Sequence, residues 1–294
     1  MSFSLLETLP ADLEAALVAL RQRLAGYERV VVAYSGGVDS ALVAALAVEA
    51  LGANALAITG VSPALAPHLL REAREQARWL GLAHREVATG ELQDPAYSAN
   101  PADRCYACKR ELHSVLAPIA AASGGAVVLD GVNRDDLGDH RPGIRAAHEF
   151  GVRSPLAELG LDKQGVRLLS RALGLPWWNK PAQPCLASRF PYGEPIRAEG
   201  LRRVAAAEDW LRQRGFAELR VRSQGDSARI ELPADQLPQA LQALAAGPLR
   251  QQLLDAFLEL GFTAVGLDLE GLVSGKLNRV LVAAAAAPPA PGGD

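Results

Sequence analysis

VVVAYSGGVDSALVAALAVEA, residues 30–50, places an apolar β-branched run directly before a short polar turn and an alanine-rich helical run directly after it. Such a run before a turn is the mark of a buried parallel strand. In the turn, Ser35-Gly36-Gly37-Val38-Asp39-Ser40, two glycines permit positive φ and let backbone approach a ligand closely. The first N–H groups of the helix, at the positive end of its dipole, then make an anion site, with the hydroxyls of Ser35 and Ser40 as further donors. A tight strand-to-helix turn with Asp39 or Ser40 as an ordinary cap is the plainer alternative.

Outward from this stretch the pattern repeats. PADLEAALVALRQRLAG (10–26) is helical, with Leu13, Leu17, Leu20 and Leu24 at helical spacing. After the loop come a strand at ALAIT, a helix at PHLLREAREQARWLG, a strand at HREVA, a mostly helical CKRELHSVLAPIAAASG and a strand at AVVLDG. Strands alternating with helices through about residue 175 predict an α/β fold, a doubly wound parallel sheet with helices on both faces. The turn lacks the Walker spacing and its lysine. It resembles instead the SGGxDS signature of the PP-loop (adenine nucleotide alpha hydrolase-like) ATP pyrophosphatases, and the resemblance implies ATP cleaved between the α and β phosphates.

A second polar loop, GVNRDDLGDHRPG (131–143), carries Asn133, Asp135, Asp136, Asp139, His140 and Arg141. Neighbouring strand ends of a parallel sheet open onto one crevice, so this loop is expected near the phosphate loop. Its carboxylates could hold Mg²⁺ on nucleotide phosphates and Arg141 could stabilise transferring charge. A solvated polar turn is the alternative.

Five prolines in LGLPWWNKPAQPCLASRFPYGEPI (173–196) mark a connector. It divides an expected nucleotide domain at 1–180 from a smaller α+β domain at 181–282, built from a helix, two strands joined through Gly225 and Asp226, two helical stretches and a strand near AVGLDLE. A low-complexity tail at 283–294 is expected to be disordered.

With 49% hydrophobic and 21% charged residues, the chain has the makings of an ordinary globular core. A formal charge of −3 gives no global attraction to nucleic acid. The absence of a long apolar run and an acid early in MSFSLLETLPADLEAAL predict neither a membrane span nor a signal peptide, hence a cytoplasmic protein. Three cysteines are too few for a disulfide framework. Cys105 and Cys108 stand at C-x-x-C spacing, and Cys185 lies in the connector. Four roles stay open: a 4Fe-4S cluster with one iron open, direct thiol chemistry, a zinc site completed by a group such as His113, or packing of buried thiols.

Taken together, YSGGVDSAL, GVNRDDLGDHRPG, RSPLAELGLDKQGVRLLSRALGLP and KPAQPCLASRFPYG resemble the LarE family of ATP-dependent sulfur transferases, from about Tyr27 to Glu231. PCLASRFPYG is the most specific part. The resemblance implies adenylation of the carboxylates of pyridinium-3,5-biscarboxylic acid mononucleotide and their conversion to thiocarboxylates for the nickel-pincer cofactor. It implies that Cys185 delivers sulfur and that Cys105 and Cys108 join it on a 4Fe-4S cluster loaded by sulfide or another sulfur donor; ATP and Mg²⁺ complete the cofactors. By the same resemblance Ser35, Gly36, Gly37, Asp39, Ser40, Asn133, Asp136 and Arg141 bind the nucleotide, with Asp39 and Arg189 also in the catalytic set. Arg189, Arg220 and Arg222 take the substrate's phosphate and second carboxylate, for which their planar fork is suited. Glu208 and Glu231 fall on acidic positions that bind divalent metal in some members, and a homo-oligomer is expected.

Two other enzyme classes share the loop. A tRNA thiolase also joins it to C-x-x-C plus a distant cysteine, against which stand the acidic balance and the PCLASRFPYG match. An ammonia-using synthetase would leave the cysteines incidental. A storage or scaffold protein requires SGGVDS to be coincidence.

Overall fold

The computed structural model describes residues 2–138, 142–245 and 247–281. Asp139, His140 and Arg141 of the second polar loop, and the expected tail, lie outside the described residues. The chain divides into two compact units, one of residues 1–98 and 103–185, the other of residues 99–102 and 186–294.

The first unit is built on four parallel strands, β1 (Val30–Ala33), β2 (Ala55–Val61), β3 (Ala83–Ala88) and β4 (Val127–Leu129), in the order β3-β2-β1-β4. Order reverses at β1, whose carboxyl end carries the phosphate loop, and that is where open parallel sheets bind ligands. Side chains alternate across the sheet: Val30 and Val32 join the core that contains α1 (Ala11–Ala25), α2 (Val38–Leu51) and α9 (Lys163–Ala172). Val31, Ala33 and Ile58 join the other core, with Leu116 and Ala120 of α5 (Arg104–Ala122). Covering both faces is what makes β1 apolar throughout.

Helix α2 is apolar on almost every side because it is buried from Val38 to Val48 apart from Asp39. By contrast α3 (Pro67–Trp79) is strongly two-faced and buries Leu69, Ala73, Gln76 and Ala77. Two short helices follow, α4 (Pro95–Ser98) before α5 and α6 (Arg134–Leu137) after β4. Helix α7 (Pro142–Glu149) packs on α5, and α8 (Pro155–Glu158) leads to α9.

The second polar loop is thus not all loop. Asn133 caps α6, its Oδ1 accepting from the N–H of Asp135 at 3.0 Å and of Asp136 at 3.4 Å, while the Asp136 carboxylate accepts from the Asn133 N–H at 3.1 Å. This reciprocal cap turns a polar cluster into one helical turn.

The second unit packs α10 (Ala198–Arg212) on a three-stranded sheet, β5 (Arg220–Gln224), β6 (Ser227–Glu231) and β7 (Ala264–Leu267). β5 and β6 form an antiparallel hairpin through Gly225, whose φ of +57° suits the tight turn. Helices α11 (Leu237–Ala245) and α12 (Gly247–Glu259) return the chain to place β7 parallel to β6. Among the described residues no helix is long and apolar enough to cross a membrane.

Candidate active site

The phosphate loop is held from within and from below. Gly36 has φ +68°, and a Cβ there would lie 3.0 Å from both Cα and Cβ of Ala73 on α3. Only glycine meets both the conformation and the close approach. Its carbonyl accepts from Gln76 Nε2 at 3.1 Å, and Tyr34 OH in turn donates to Gln76 Oε1 at 2.9 Å. Ser40 Oγ donates to the Gly37 carbonyl at 3.2 Å and stands 3.1 Å from Ser35 Oγ, while Ser35 Oγ accepts from the Gly37 N–H at 3.3 Å. The helical ladder of α2 begins with Ala41 N–H on the Gly37 carbonyl at 2.9 Å, so the preceding N–H groups are left to an anion. Gly131, just past β4, lies so close beneath that a Cβ would meet Ser40 N at 2.5 Å.

Asp39 faces two donors from other elements. Asn133 Nδ2 donates to its Oδ1 at 3.1 Å, and Lys163, the first residue of α9, forms an ion pair with its Oδ2. The Lys163 N–H donates to Asp135 at 3.0 Å, which ties α6 to α9. Asp39, Asn133, Asp135 and Asp136 are therefore brought together beside the loop, as are Ser35, Gly36, Gly37 and Ser40 within it. A second cation arrives from the connector: Lys180 Nζ donates to the Gly36 carbonyl at 2.9 Å and pairs with Glu72 at 2.6 Å. Three residues on, Gln183 Oε1 lies 3.0 Å from His68 Nε2 at the start of α3.

The connector ends this unit at Cys185. Cys105 is exposed, and Cys108 and Cys185 are half-buried, all three as thiols. Burial pushes the Cys108 thiol up to about 12; the Cys185 thiol and Glu91 push the same way, Lys109 opposes, and Cys105 adds to the rise. Burial also raises the Tyr97 hydroxyl, with Cys185, Cys108 and Glu91 reinforcing it and Arg104 opposing. Cys108, Cys185 and Tyr97 thus share one electrostatic neighbourhood. Among the described residues no three Cys, His, Asp or Glu side chains are gathered to hold a metal ion. The three thiols match an iron-sulfur cluster in donor type; gathering them would require the exposed Cys105 to turn inward. His113 is buried against Phe150, with ring centres 6.1 Å apart, and burial, aided by Lys109, lowers its imidazole to about 4.

In the second unit arginines and carboxylates alternate. Glu208 on α10 is fully buried; it accepts from Arg189 Nε at 2.7 Å and from the other arm of that guanidinium at 3.1 Å, from Arg212 at 3.2 Å, and from the Val221 N–H at 3.0 Å. Burial opposes the charge of Glu208, but Arg189, then Arg212 and Val221, hold the carboxyl below its ordinary range. Glu231, also fully buried, pairs with Arg222 at 2.9 Å and with Arg229 at 3.5 Å. A divalent ion at Glu208 or Glu231 would have to displace these guanidinium partners, so the acids act here as counter-charges to the arginines. Arg220 is buried and makes no ion pair among the described residues; burial lowers its pKa, the nearby charges of Arg222 and Arg189 lower it further, and those of Glu231 and Glu208 oppose the fall. This strand face is buried rather than solvent-facing, and Arg220 lies in it near Glu231 and Glu208 with no ion pair among the described residues.

Lys163, Lys180, Gln76, Glu91 and Tyr97 escaped the sequence analysis. Lys163 carried one signal: a cation in the first turn of a helix opposes the dipole and needs a local partner. The others depend on contacts far apart in the chain and carry no local signal.

This fold and loop define a nucleotide-binding PP-loop enzyme. In agreement, the NAD synthase family model matches residues 14–99. The chain is 56% identical over 269 residues to an uncharacterised protein of Synechocystis, covering 92% of this chain and 99% of that one. It is 28% identical over 243 residues to an uncharacterised protein of Methanocaldococcus jannaschii, covering 83% and 90%. To the pyridinium-3,5-bisthiocarboxylic acid mononucleotide synthase of Lactiplantibacillus plantarum it is 39% identical over 275 residues, covering 93% and 96%. The chain belongs to the family of that synthase, the LarE family, and is an adenylating, ATP-dependent sulfurtransferase.

Proposed function

We propose that the chain adenylates a carboxylate of pyridinium-3,5-biscarboxylic acid mononucleotide and replaces the activated oxygen by sulfur, twice. The observation that carries this reading is the short tether between loop and thiol. Lys180 is fastened to the Gly36 carbonyl and Gln183 to His68, so Cys185 begins two residues from an anchored point. Two residues of extended chain span about 7 Å at most.

In the first half-reaction a carboxylate oxygen attacks the α phosphorus of ATP, the bond to the β-phosphate oxygen breaks, and pyrophosphate leaves. The N–H groups at the start of α2 face that departing charge, with Lys163 and Lys180 beside them, and Mg²⁺ bound with the phosphates supplies further neutralisation. In the second, sulfur attacks the acyl carbon and AMP departs; with hydrosulfide as the sulfur source, a thiocarboxylate forms and one proton is released. Adenylation matters because a bare carboxylate would have to expel oxide.

Cys105, Cys108 and Cys185 would hold the 4Fe-4S cluster, which when bound supplies an exchangeable sulfide and spares Cys185 from being consumed. Arg220 is the candidate for the substrate's phosphate or second carboxylate, while Glu208 and Glu231 hold Arg189 and Arg222 rigid for the same task. The direct test is isotope exchange: labelled pyrophosphate enters ATP only when the biscarboxylate is present. Exchange that ignores this substrate, or needs a different acid, would overturn the assignment.

A further inference from the structure

One face of α3 carries the connector. His68 and Glu72 stand about one helical turn apart on it, both half-buried. His68 Nε2 lies 3.0 Å from Gln183 Oε1, and because an amide oxygen only accepts, the imidazole donates. Glu72 pairs with Lys180 Nζ at 2.6 Å. The connector suits this spacing: in a proline-rich extended chain three residues make one turn, so Lys180 and Gln183 present the same side. Each of these two residues is followed by a proline, Pro181 and Pro184. Proline fixes its own φ and holds the residue before it extended. Restraint at Gln183 therefore passes to Cys185 through few free rotations.

The buried face of the same helix is the floor of the phosphate loop. A Cβ on Gly36 would lie 3.0 Å from Ala73, and Gln76 donates to the Gly36 carbonyl at 3.1 Å. Lys180 donates to that same carbonyl at 2.9 Å. One helix thus fixes both the loop that faces the nucleotide and the chain that brings the thiol. An acyl adenylate needs such placement, because water attacking its acyl carbon returns the carboxylate, releases AMP and a proton, and wastes the ATP. We propose that His68 and Glu72 are positioning residues for sulfur delivery: by docking Gln183 and Lys180 they hold Cys185 at the nucleotide site, so that the activated substrate meets sulfur before water. This inference rests on the sulfur-transfer reading and adds to it control over the fate of the adenylate.

Two measurements test it. The first needs no catalysis: iodoacetamide alkylation of Cys185 in the full-length, reduced, metal-free protein, followed by peptide mass spectrometry with the exposed Cys105 as internal reference. A neutral hydrogen bond is strong enough to shift a docking equilibrium about fivefold. His68→Leu should quicken Cys185 alkylation by that factor, and Glu72→Leu should act in the same direction. His68→Gln, whose amide can still donate to Gln183, should return the wild-type rate. The second is a single turnover of protein reconstituted with iron and sulfide, with enzyme in excess over the biscarboxylate. In His68→Leu the AMP released should exceed the thiocarboxylate formed, and in His68→Gln the two should again be equal. A merely structural role would lower both products together and keep them equal, which overturns the proposal. Unchanged Cys185 alkylation in His68→Leu overturns it as well. Should His68→Leu fail to fold, Glu72→Leu is judged by the same two results. Failure of the sulfur-transfer reading would appear separately, as a wild type that makes no thiocarboxylate while the alkylation differences remain.

Discussion

Replacing Gly131 by alanine should cripple the phosphate loop by displacing the backbone at the start of α2. The added Cβ would lie 2.5 Å from Ser40 N, 2.9 Å from the Asp39 carbonyl carbon and 2.9 Å from Ser40 Cα, all backbone atoms at the start of α2. Ordinary contact begins near 3.4 Å, so loop and β4 must separate by about 0.9 Å, the difference between 3.4 Å and 2.5 Å. Neither side yields easily, because β4 pairs with β1 and α2 is buried between α1, α9 and the sheet. Overpacking of this kind costs about 1–3 kcal/mol of stability. A displacement of about 1 Å at a reacting centre costs on the order of 100-fold in rate. Urea unfolding should therefore show a lower midpoint with unchanged slope, and pyrophosphate exchange should fall about 100-fold while the protein remains folded. Wild-type exchange in a stably folded Gly131→Ala would refute the idea that β4 sets the position of the loop.

Lys163→Met leaves the half-buried Asp39 carboxylate without its cation beside the phosphates. Discounted for solvent exposure, the lost charge should weaken ATP binding by about tenfold in calorimetry, and Asp39→Asn in the same chain should recover part of it. Glu208→Gln strips a fully buried counter-charge from Arg189 and Arg212 and should destabilise the protein by about 3–5 kcal/mol in denaturant melts. Because Glu208 is held below its ordinary pKa, its contribution is present above the ordinary carboxylate pKa and disappears as pH falls through the depressed value. The variant should lose this part of the acid limb of the stability curve, and an identical acid limb would contradict the ion-pair role. Arg220→Gln should leave stability unchanged or improved, since it removes a buried cation that makes no ion pair among the described residues, while raising KM for the biscarboxylate more than for ATP.

The parallel sheet was legible because β1 and α2 are buried on all sides and so lack polar interruptions. Gly36 was legible for a related reason: a left-handed turn packed on Ala73 leaves no choice of residue. What escaped was set by contacts between distant segments. Lys180 looked like part of a loose proline-rich connector, yet it fastens that connector to Gly36. Asp136 looked like a metal ligand from its acidic company, whereas part of its carboxylate is spent on the Asn133 N–H. Glu208 and Glu231 show the same limit, since sequence alone gives no sign that arginines from other elements surround them.

The most direct test of sulfur transfer is a single turnover with enzyme in excess over the biscarboxylate, comparing wild type with Cys185→Ser and following AMP and thiocarboxylate by mass spectrometry. The predicted result is one AMP per thiocarboxylate in wild type, and in Cys185→Ser activation of the substrate with no sulfur in the product. Thiocarboxylate formed at the wild-type rate by Cys185→Ser would contradict the role assigned to this cysteine.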